Sequence, residues 1–130
     1  MSDDQASTAS ETVEAYYQAL RNGDPLGPFF AEEPGMVKVG ISETLVGHDA
    51  IVEGLADQTA TTTDWTVESR DRHVTEREDF AWYHDDVSLG WRDTASGRNY
   101  DFETRWSGSL RADDDWQFVT LHVSTAGDLY

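Results

Sequence analysis

The chain has 130 residues, 38% of them hydrophobic and 12% aromatic, which suits one folded domain and excludes disorder caused by a lack of apolar residues. Its 26 acidic residues stand against nine Lys and Arg, so the formal net charge is −17. Nucleic acid and anionic membranes are therefore not expected as partners, because binding a phosphate surface requires a basic patch.

Three helices are predicted in the N-terminal half. Thr8 and Glu11 have the spacing of a capping box at the start of the first helix, and the Asn-Gly pair at 22–23 ends it. Pro25 suits the first position of a second, short helix, because its missing N–H needs no partner there. The third helix is predicted at residues 47–58, where apolar residues recur on one face.

Strands are predicted from their alternating apolar residues and from the turn-forming residues between them. They are residues 36–41, 65–74, 80–91, 100–110 and 116–125. Helices followed by a meander of long antiparallel strands predict an α+β fold with the helices on one face of the sheet. One domain is predicted over residues 1–130, with residues 1–7 disordered.

Five short motifs in the order of the chain carry a family resemblance. They are Asn-Gly-Asp at 22–24, Leu-Val-Gly-His-Asp-Ala-Ile at 45–51, Phe-Ala-Trp at 80–82, Arg-Trp-Ser at 105–107, and a closing strand at 116–124 that begins with Trp and ends in His-x-Ser. This order resembles SnoaL-like proteins of the nuclear-transport-factor-2-like superfamily over about residues 11–125.

The resemblance implies a cone. A curved antiparallel sheet of about five to six strands would be closed by the three N-terminal helices on its concave face, with a pocket inside. It also implies a homodimer formed through the outer face of the sheet.

The last two strands indicate which side chains share a face. With a hairpin loop at 112–115, Arg111 pairs with Trp116 and Arg105 lies opposite His122. Polar and aromatic residues then share one face: Glu103, Arg105, Ser107, Trp116, Phe118, Thr120, His122 and Ser124. The other face is apolar: Phe102, Trp106, Leu110, Val119, Leu121 and Val123. We therefore predict that the mixed face lines the pocket and that the apolar face forms the subunit contact.

Three residues of the mixed face are the candidate catalytic groups. His122 suits proton transfer near neutral pH, with Glu103 or Asp85 as its partner. Arg105 offers a fixed fork for a carboxylate or another anionic group of a ligand. A salt bridge or hydrogen bond within the protein is the alternative for Arg105 and His122, and pairing with Arg105 or contact with water is the alternative for Glu103.

Further residues are predicted to contact the ligand. They are Tyr17, Phe30, Trp82, Tyr83, Ser107, Phe118, Thr120 and Ser124. Core packing is the competing interpretation for the aromatic members, because it is the usual role of such side chains.

Neither a metal nor a cofactor is predicted. The chain has no cysteine, no pair of histidines at helical spacing and no EF-hand pattern, and the acidic triplet at 113–115 falls in a predicted turn. It also lacks a glycine-rich phosphate loop and a nucleophile elbow of the G-x-S-x-G type.

Two functions follow from the resemblance. The first is a small-molecule-binding homodimer, for which Arg105 favours an anionic ligand. The second is a cofactor-independent isomerase, cyclase or dehydratase, in which a pocket carboxylate or histidine moves a proton next to a carbonyl. Ketosteroid isomerases carry a catalytic Asp on the first strand, whereas residues 36–40 of this chain contain no acid.

The acidic composition also resembles that of proteins from extreme halophiles. Lys38 is the only lysine, and the acids are spread through every segment rather than gathered in a tail. An ordinary acidic mesophilic protein is the alternative. A cytoplasmic location is predicted, because no apolar run is long enough to span a membrane and residues 1–4 lack the features of a secretory signal.

Overall fold

The computed structural model describes residues 8–41 and 43–125, so the prediction for residues 1–7 lies outside the described residues. The described part contains two α-helices, one 3₁₀ helix and seven strands. Their bounds are α1 Ala9–Asn22, the 3₁₀ helix Gly27–Phe29, β1 Val37–Val39, β2 Thr44–Val46, α2 His48–Thr61, β3 Thr62–Ser69, β4 His73–Glu76, β5 Phe80–Asp93, β6 Asn99–Ala112 and β7 Trp116–Thr125.

The seven strands form one sheet in the order β2-β1-β7-β6-β5-β3, and β4 pairs with the same edge of β5 as β3. All pairs are antiparallel except β1 with β7, which is parallel. The α+β class is confirmed. The predicted number of strands was too low, because residues 44–46 form an additional hairpin strand and the segment predicted at 65–74 is two strands.

The first helix begins and ends as predicted. Thr8 Oγ1 accepts a hydrogen bond from the Glu11 N–H at 3.1 Å, and Glu11 Oε1 accepts one from the Thr8 N–H at 3.0 Å, which completes the capping box. At the other end Gly23 has φ 74°, a left-handed conformation that glycine adopts without a steric penalty. The helix packs one face, including Val13 and Leu20, into the core.

The second predicted helix is wrong: only a single 3₁₀ turn, Gly27–Phe29, forms there. Pro28 lacks a backbone N–H, and the residue before a proline is pushed away from the α conformation. Two prolines, Pro25 and Pro28, with Gly27 between them therefore leave too few helix-forming positions. The structure thus has two α-helices in its described residues instead of the predicted three helices.

The hairpin of β6 and β7 has a different register from the predicted one. Ser107 pairs with His122, and Arg105 lies opposite Ser124 instead of His122. The predicted pairing was displaced by two residues here and by one next to the turn, where Arg111 pairs with Gln117. Because side chains alternate along a strand, a shift of two keeps Arg105 and His122 on the same face of the sheet.

A β-bulge in β7 divides that strand into two parts. Ser109 pairs with Thr120 and Leu110 with Phe118, so Val119 is an extra residue without a partner in the ladder. The bulge reverses the alternation. Phe118 before it is buried and Thr120 after it is exposed, so the prediction that they share a face was wrong.

The two faces of the sheet are also interchanged relative to the prediction. The helices cover the face with the larger apolar area, since burial stabilises by about 25 cal/mol per Å² of apolar surface. Its buried members include Trp106, Leu110, Trp116, Phe118, Leu121 and Val123. Five of the eight residues predicted to line the pocket are exposed on the outer face: Glu103, Arg105, Ser107, Thr120 and His122.

Candidate functional site

A cavity of about 130 Å³ opens on the concave side of the sheet, between α1, the end of α2, β1 and the inner faces of β3, β5, β6 and β7. Four aromatic side chains and several aliphatic ones line it, and one pair of opposite charges lies among them. The lining includes Tyr16, Lys38, Glu43, Trp65, Trp91 and Trp106.

The tryptophans of the cavity are held in fixed orientations. Trp65 and Trp91 stack at 4.9 Å between ring centroids with an interplanar angle of 22°. The indole N–H of Trp65 donates to Thr62 Oγ1, and that of Trp106 donates to Thr104 Oγ1, each at 2.9 Å. Because protein hydroxyls accept these two N–H groups, the rings present mainly apolar surface to the cavity.

Lys38 is the charged group deepest in the cavity wall. It is the middle residue of β1, it is 6% exposed, and its Nζ donates to Glu43 Oε2 at 3.3 Å. The Glu43 side chain is 42% exposed, so the pair reaches from the buried wall toward solvent. A lysine is rarely buried unless it is paired, and here the partner comes from the turn between β1 and β2.

Gly40 allows Glu43 to reach Lys38. The Gly40 N–H donates to the Glu43 carbonyl at 2.8 Å, which folds the turn back on itself. A Cβ at Gly40 would lie 2.9 Å from Glu43 Oε2, closer than such contacts are found. The absence of a side chain at this position therefore leaves the space that the carboxylate occupies.

A second buried polar cluster joins α1 to β5. Asp85 is 1% exposed and accepts hydrogen bonds from Tyr17 Oη at 2.9 Å, from Ser69 Oγ at 2.6 Å and from the Asp71 N–H at 3.1 Å. Burial raises the pKa of the Tyr17 phenol far above its usual range, and nearby Tyr83 and Asp85 raise it further. Tyr17 is therefore a phenol that donates to the Asp85 carboxylate, and the cluster ties the helix to the sheet.

Tyr83 lies beside this cluster and is buried. Its hydroxyl is the one fully buried side-chain polar atom in residues 8–41 and 43–125 that has no hydrogen-bond partner. Burial raises the pKa of this phenol above its usual range. A buried hydroxyl without a partner has a free-energy cost, which makes this position informative for stability.

The family comparison agrees with this architecture. The sequence model of the SnoaL-like domain matches residues 9–128, which is nearly the whole chain. The chain belongs to the SnoaL-like domain family. No curated protein has significant sequence similarity to this SnoaL-like domain.

Solved structures of the nuclear-transport-factor-2-like superfamily share the fold of this SnoaL-like domain. A candidate dehydratase from Streptomyces avermitilis superimposes with a TM-score of 0.80 at 18% identity, over 93% of this chain and 95% of its own. A superfamily protein from Salmonella enterica serovar Typhimurium gives 0.78 at 17% identity, over 92% and 89%. A ketosteroid isomerase-like protein from Erwinia carotovora atroseptica gives 0.77 at 17%, over 98% and 100%. Identities this low show a shared fold and assign no activity.

The predicted catalytic residues of this SnoaL-like domain lie on its outer face. Glu103 receives a hydrogen bond from Ser88 and an ion pair from Arg70 at 2.8 Å, so its pairing is with Arg70 instead of Arg105. Arg105 stands opposite Asp86 in the ladder. These side chains are not part of the Trp-lined cavity.

His122 and Asp85 were also predicted as partners, and they lie on opposite faces of the sheet. Asp85 points into the core, where Tyr17 contacts it, whereas His122 is exposed and pairs with Ser107. Within one continuous strand, alternate side chains lie on the same face. Between neighbouring strands, the register of their pairing decides which side chains share a face. The partnership of His122 and Asp85 was therefore wrong.

The predicted ligand-contacting residues divide into two groups. Tyr17, Phe30, Tyr83 and Phe118 are buried in the core, where Phe30 and Phe118 pack at 5.5 Å between ring centroids. On the outer face, a shallow depression brings together Trp82, Ser107 and Thr120 with His122. Ser124 is half-buried near the end of β7.

The cavity residues were missed because their segments were assigned other roles. Core packing was favoured over a place at the pocket mouth for Trp65, Trp91 was assigned only to a strand, and Trp106 was placed on the dimer face. The strand predicted at residues 36–41 was not assigned a face. One signal for Lys38 was present, because a single lysine at the centre of an apolar strand is unusual on an exposed face.

Proposed function

We propose that the protein binds a small molecule with an aromatic or similar flat apolar ring in the Trp-lined cavity. The observation that carries this proposal is that Tyr16, Trp65, Trp91 and Trp106 line the cavity together with one charge pair, of which Lys38 is buried. Ligand sites are mostly apolar, with a few polar groups that orient the ligand. The cavity volume of about 130 Å³ suits a single ring, since a cavity of about 150 Å³ holds benzene.

Lys38 would orient the polar end of such a ligand. An ammonium group has three hydrogen-bond donors, and Glu43 is the acceptor that contacts Nζ. A carboxylate or carbonyl oxygen on the ring could accept a further hydrogen bond from Nζ. An anionic ligand, which was expected at Arg105, is thus more readily accommodated at Lys38.

Tryptophan fluorescence tests the location of the site. Benzyl alcohol and benzoate are titrated in molar KCl into the parent protein and into Trp91→Phe and Trp82→Phe. We expect a saturable change in fluorescence that is reduced in Trp91→Phe. The change should be retained in Trp82→Phe, because Trp82 is 44% exposed on the outer face. The opposite pattern would place binding in the outer depression near His122 and Ser107 and would contradict this proposal.

A second candidate function is a cofactor-independent isomerase or dehydratase. The Lys38–Glu43 pair supports it, because it brings a proton donor and an acceptor to one cavity wall. Two structural neighbours have names of this kind, the candidate dehydratase and the ketosteroid isomerase-like protein. Glu43 would take a proton next to a carbonyl, and Lys38 would stabilise the enolate oxygen.

Proton exchange tests this second function. Acetophenone incubated with the protein in D₂O should lose its methyl proton signals faster than it does in buffer, and Glu43→Gln should abolish the acceleration. Equal exchange rates with and without the parent protein would leave binding as the function.

We also propose that two copies pair through the outer face of the sheet. Phe80 and Trp82 support this, because they are 49% and 44% exposed and stack at 5.7 Å between ring centroids. Large aromatics that remain exposed beside a depression are common at subunit contacts. Light scattering in molar KCl should give a dimer for the parent and a monomer for Trp82→Glu, and a monomeric parent protein would refute the pairing.

A further inference from the structure

The only lysine of this acidic chain is placed where an amine could react. Lys38 is 6% exposed and lines the Trp-lined cavity of a protein whose net charge is −17. It lies on β1 between Leu45 of β2 and Leu121 of β7, so rigid strands hold its backbone on both sides. A side chain on such a support keeps its orientation better than one on a loop.

We propose that Lys38 forms an imine with a ring-bearing aldehyde or ketone bound in the cavity. This inference rests on the proposed function, because it requires a ligand in that cavity. A lysine amine in an apolar pocket is a suitable nucleophile for a carbonyl group. The stacked Trp65 and Trp91 would hold the ring, which brings the carbonyl carbon to Nζ and converts a bimolecular reaction into a local one.

Glu43 is the proton carrier of this reaction. Its carboxylate, 3.3 Å from Nζ, takes a proton from the ammonium, and the neutral amine then adds to the carbonyl carbon. A C–N bond forms as the carbon–oxygen π bond breaks, and Glu43 gives its proton to the oxygen. The nitrogen then returns a second proton to Glu43.

The carbinolamine so formed loses water. Glu43 protonates its hydroxyl group, the C–O bond breaks, and the nitrogen lone pair forms the C=N bond of a protonated imine. Of the three ammonium protons, two leave in the water with the carbonyl oxygen and one stays on nitrogen. The pair therefore begins and ends as one cation beside one carboxylate, and no oxidant or reductant is needed.

Reductive trapping tests the proposal directly. The folded protein in molar KCl is incubated with benzaldehyde and sodium cyanoborohydride, and the benzylated residue is located by mass spectrometry after cleavage at acidic residues. The chain offers only Lys38 and its α-amino group, so the assignment is unambiguous. We expect labelling of Lys38 to saturate with benzaldehyde concentration.

A control variant whose single lysine lies at another position gives the reference rate of labelling. In the double variant Lys38→Met, Arg98→Lys the single lysine lies at an exposed position before β6. Lys38 should be labelled at least about tenfold faster than this lysine, because the bound ring raises the local carbonyl concentration. Equal rates, or a Lys38 rate that stays linear in benzaldehyde, would overturn the proposal.

Two further measurements separate the imine from simple binding and from misfolding. Glu43→Gln should be trapped at least about tenfold more slowly than the parent at saturating benzaldehyde, because its amide cannot carry the proton. Unchanged trapping in Glu43→Gln would overturn the role of Glu43. If the parent binds benzyl alcohol yet Lys38 is not trapped, the imine is refuted and the proposed function stands; if neither occurs, both fail.

Discussion

The buried bond between Tyr17 and Asp85 offers a sharp test of what holds the helix to the sheet. Tyr17→Phe removes only the hydroxyl that donates to Asp85 Oδ2 at 2.9 Å. The ring remains, so its edge-on contact with Trp106 at 5.2 Å and the Arg72 guanidinium 5.5 Å from its centroid are kept. The change in stability therefore reports what this hydroxyl contributes, mainly through Asp85 and to a lesser extent through the neighbouring Tyr83 hydroxyl.

The expected loss follows from the partners of Asp85. A hydrogen bond to a charged group contributes about 1.5–3 kcal/mol. Ser69 and the Asp71 N–H still donate to the carboxylate, so we expect a loss of about 2 kcal/mol instead of the cost of a bare buried charge. For a domain of this length, that loss lowers the melting temperature by roughly 6–10 °C.

Tyr83→Phe is the matched control. It also removes one buried phenol hydroxyl, but one without a hydrogen-bond partner, so stability should change by less than about 0.5 kcal/mol or increase. Both variants are measured by urea unfolding and by calorimetry in molar KCl. Equal losses in the two variants, or a change below about 0.5 kcal/mol in Tyr17→Phe, would refute the view that Asp85 depends on the Tyr17 donor.

Three other perturbations have directional outcomes. The melting temperature should rise from low to molar KCl because the net charge of −17 repels itself and salt screens it, and a flat or falling value contradicts this and the halophile prediction. Burial raises the pKa values of Tyr16, Tyr17 and Tyr83, so these phenols stay protonated in the folded state. Their stabilisation is complete below the unfolded pKa of about 10 and is lost as the pH rises above it, and a tyrosinate absorbance greater than two of the five tyrosines can give, appearing without unfolding, argues against it. Gly40→Ala should displace the flexible Glu43 carboxylate, slowing trapping by benzaldehyde while the melting temperature changes little, and normal trapping would show that this glycine is not required.

Local signals explain the parts of the fold that were predicted correctly. The capping box of Thr8 and Glu11 and the left-handed Gly23 depend on residues three to four positions apart, so α1 could be located from the sequence. The long strands β5, β6 and β7 have clear alternation and turn residues between them. These elements, with the family resemblance, were sufficient for the α+β class.

The candidate site could not be found from local signals. Its prediction required knowing that β7 contains a bulge and which face of the sheet the helices cover. The bulge at Val119 places Phe118 in the core and Thr120 outside, and alternation alone cannot reveal it. The polar residues around Arg105 and His122 suggested a lined pocket, yet a solvated outer face has the same composition. The cavity is instead lined by Lys38 and lies on the opposite, covered face of the sheet.

The sequence by itself determined the acidic surface, the family, the first helix and the long strands, since each depends on composition or on neighbours along the chain. The tertiary structure decided which face of the sheet is covered, because the helices bury the larger apolar area against Trp106, Leu121 and Val123. It also brought Lys38 of β1 to the tryptophans of β3, β5 and β6. These groups are far apart in the chain, and only the pairing of the strands and the packing of the helices against them place them around one cavity.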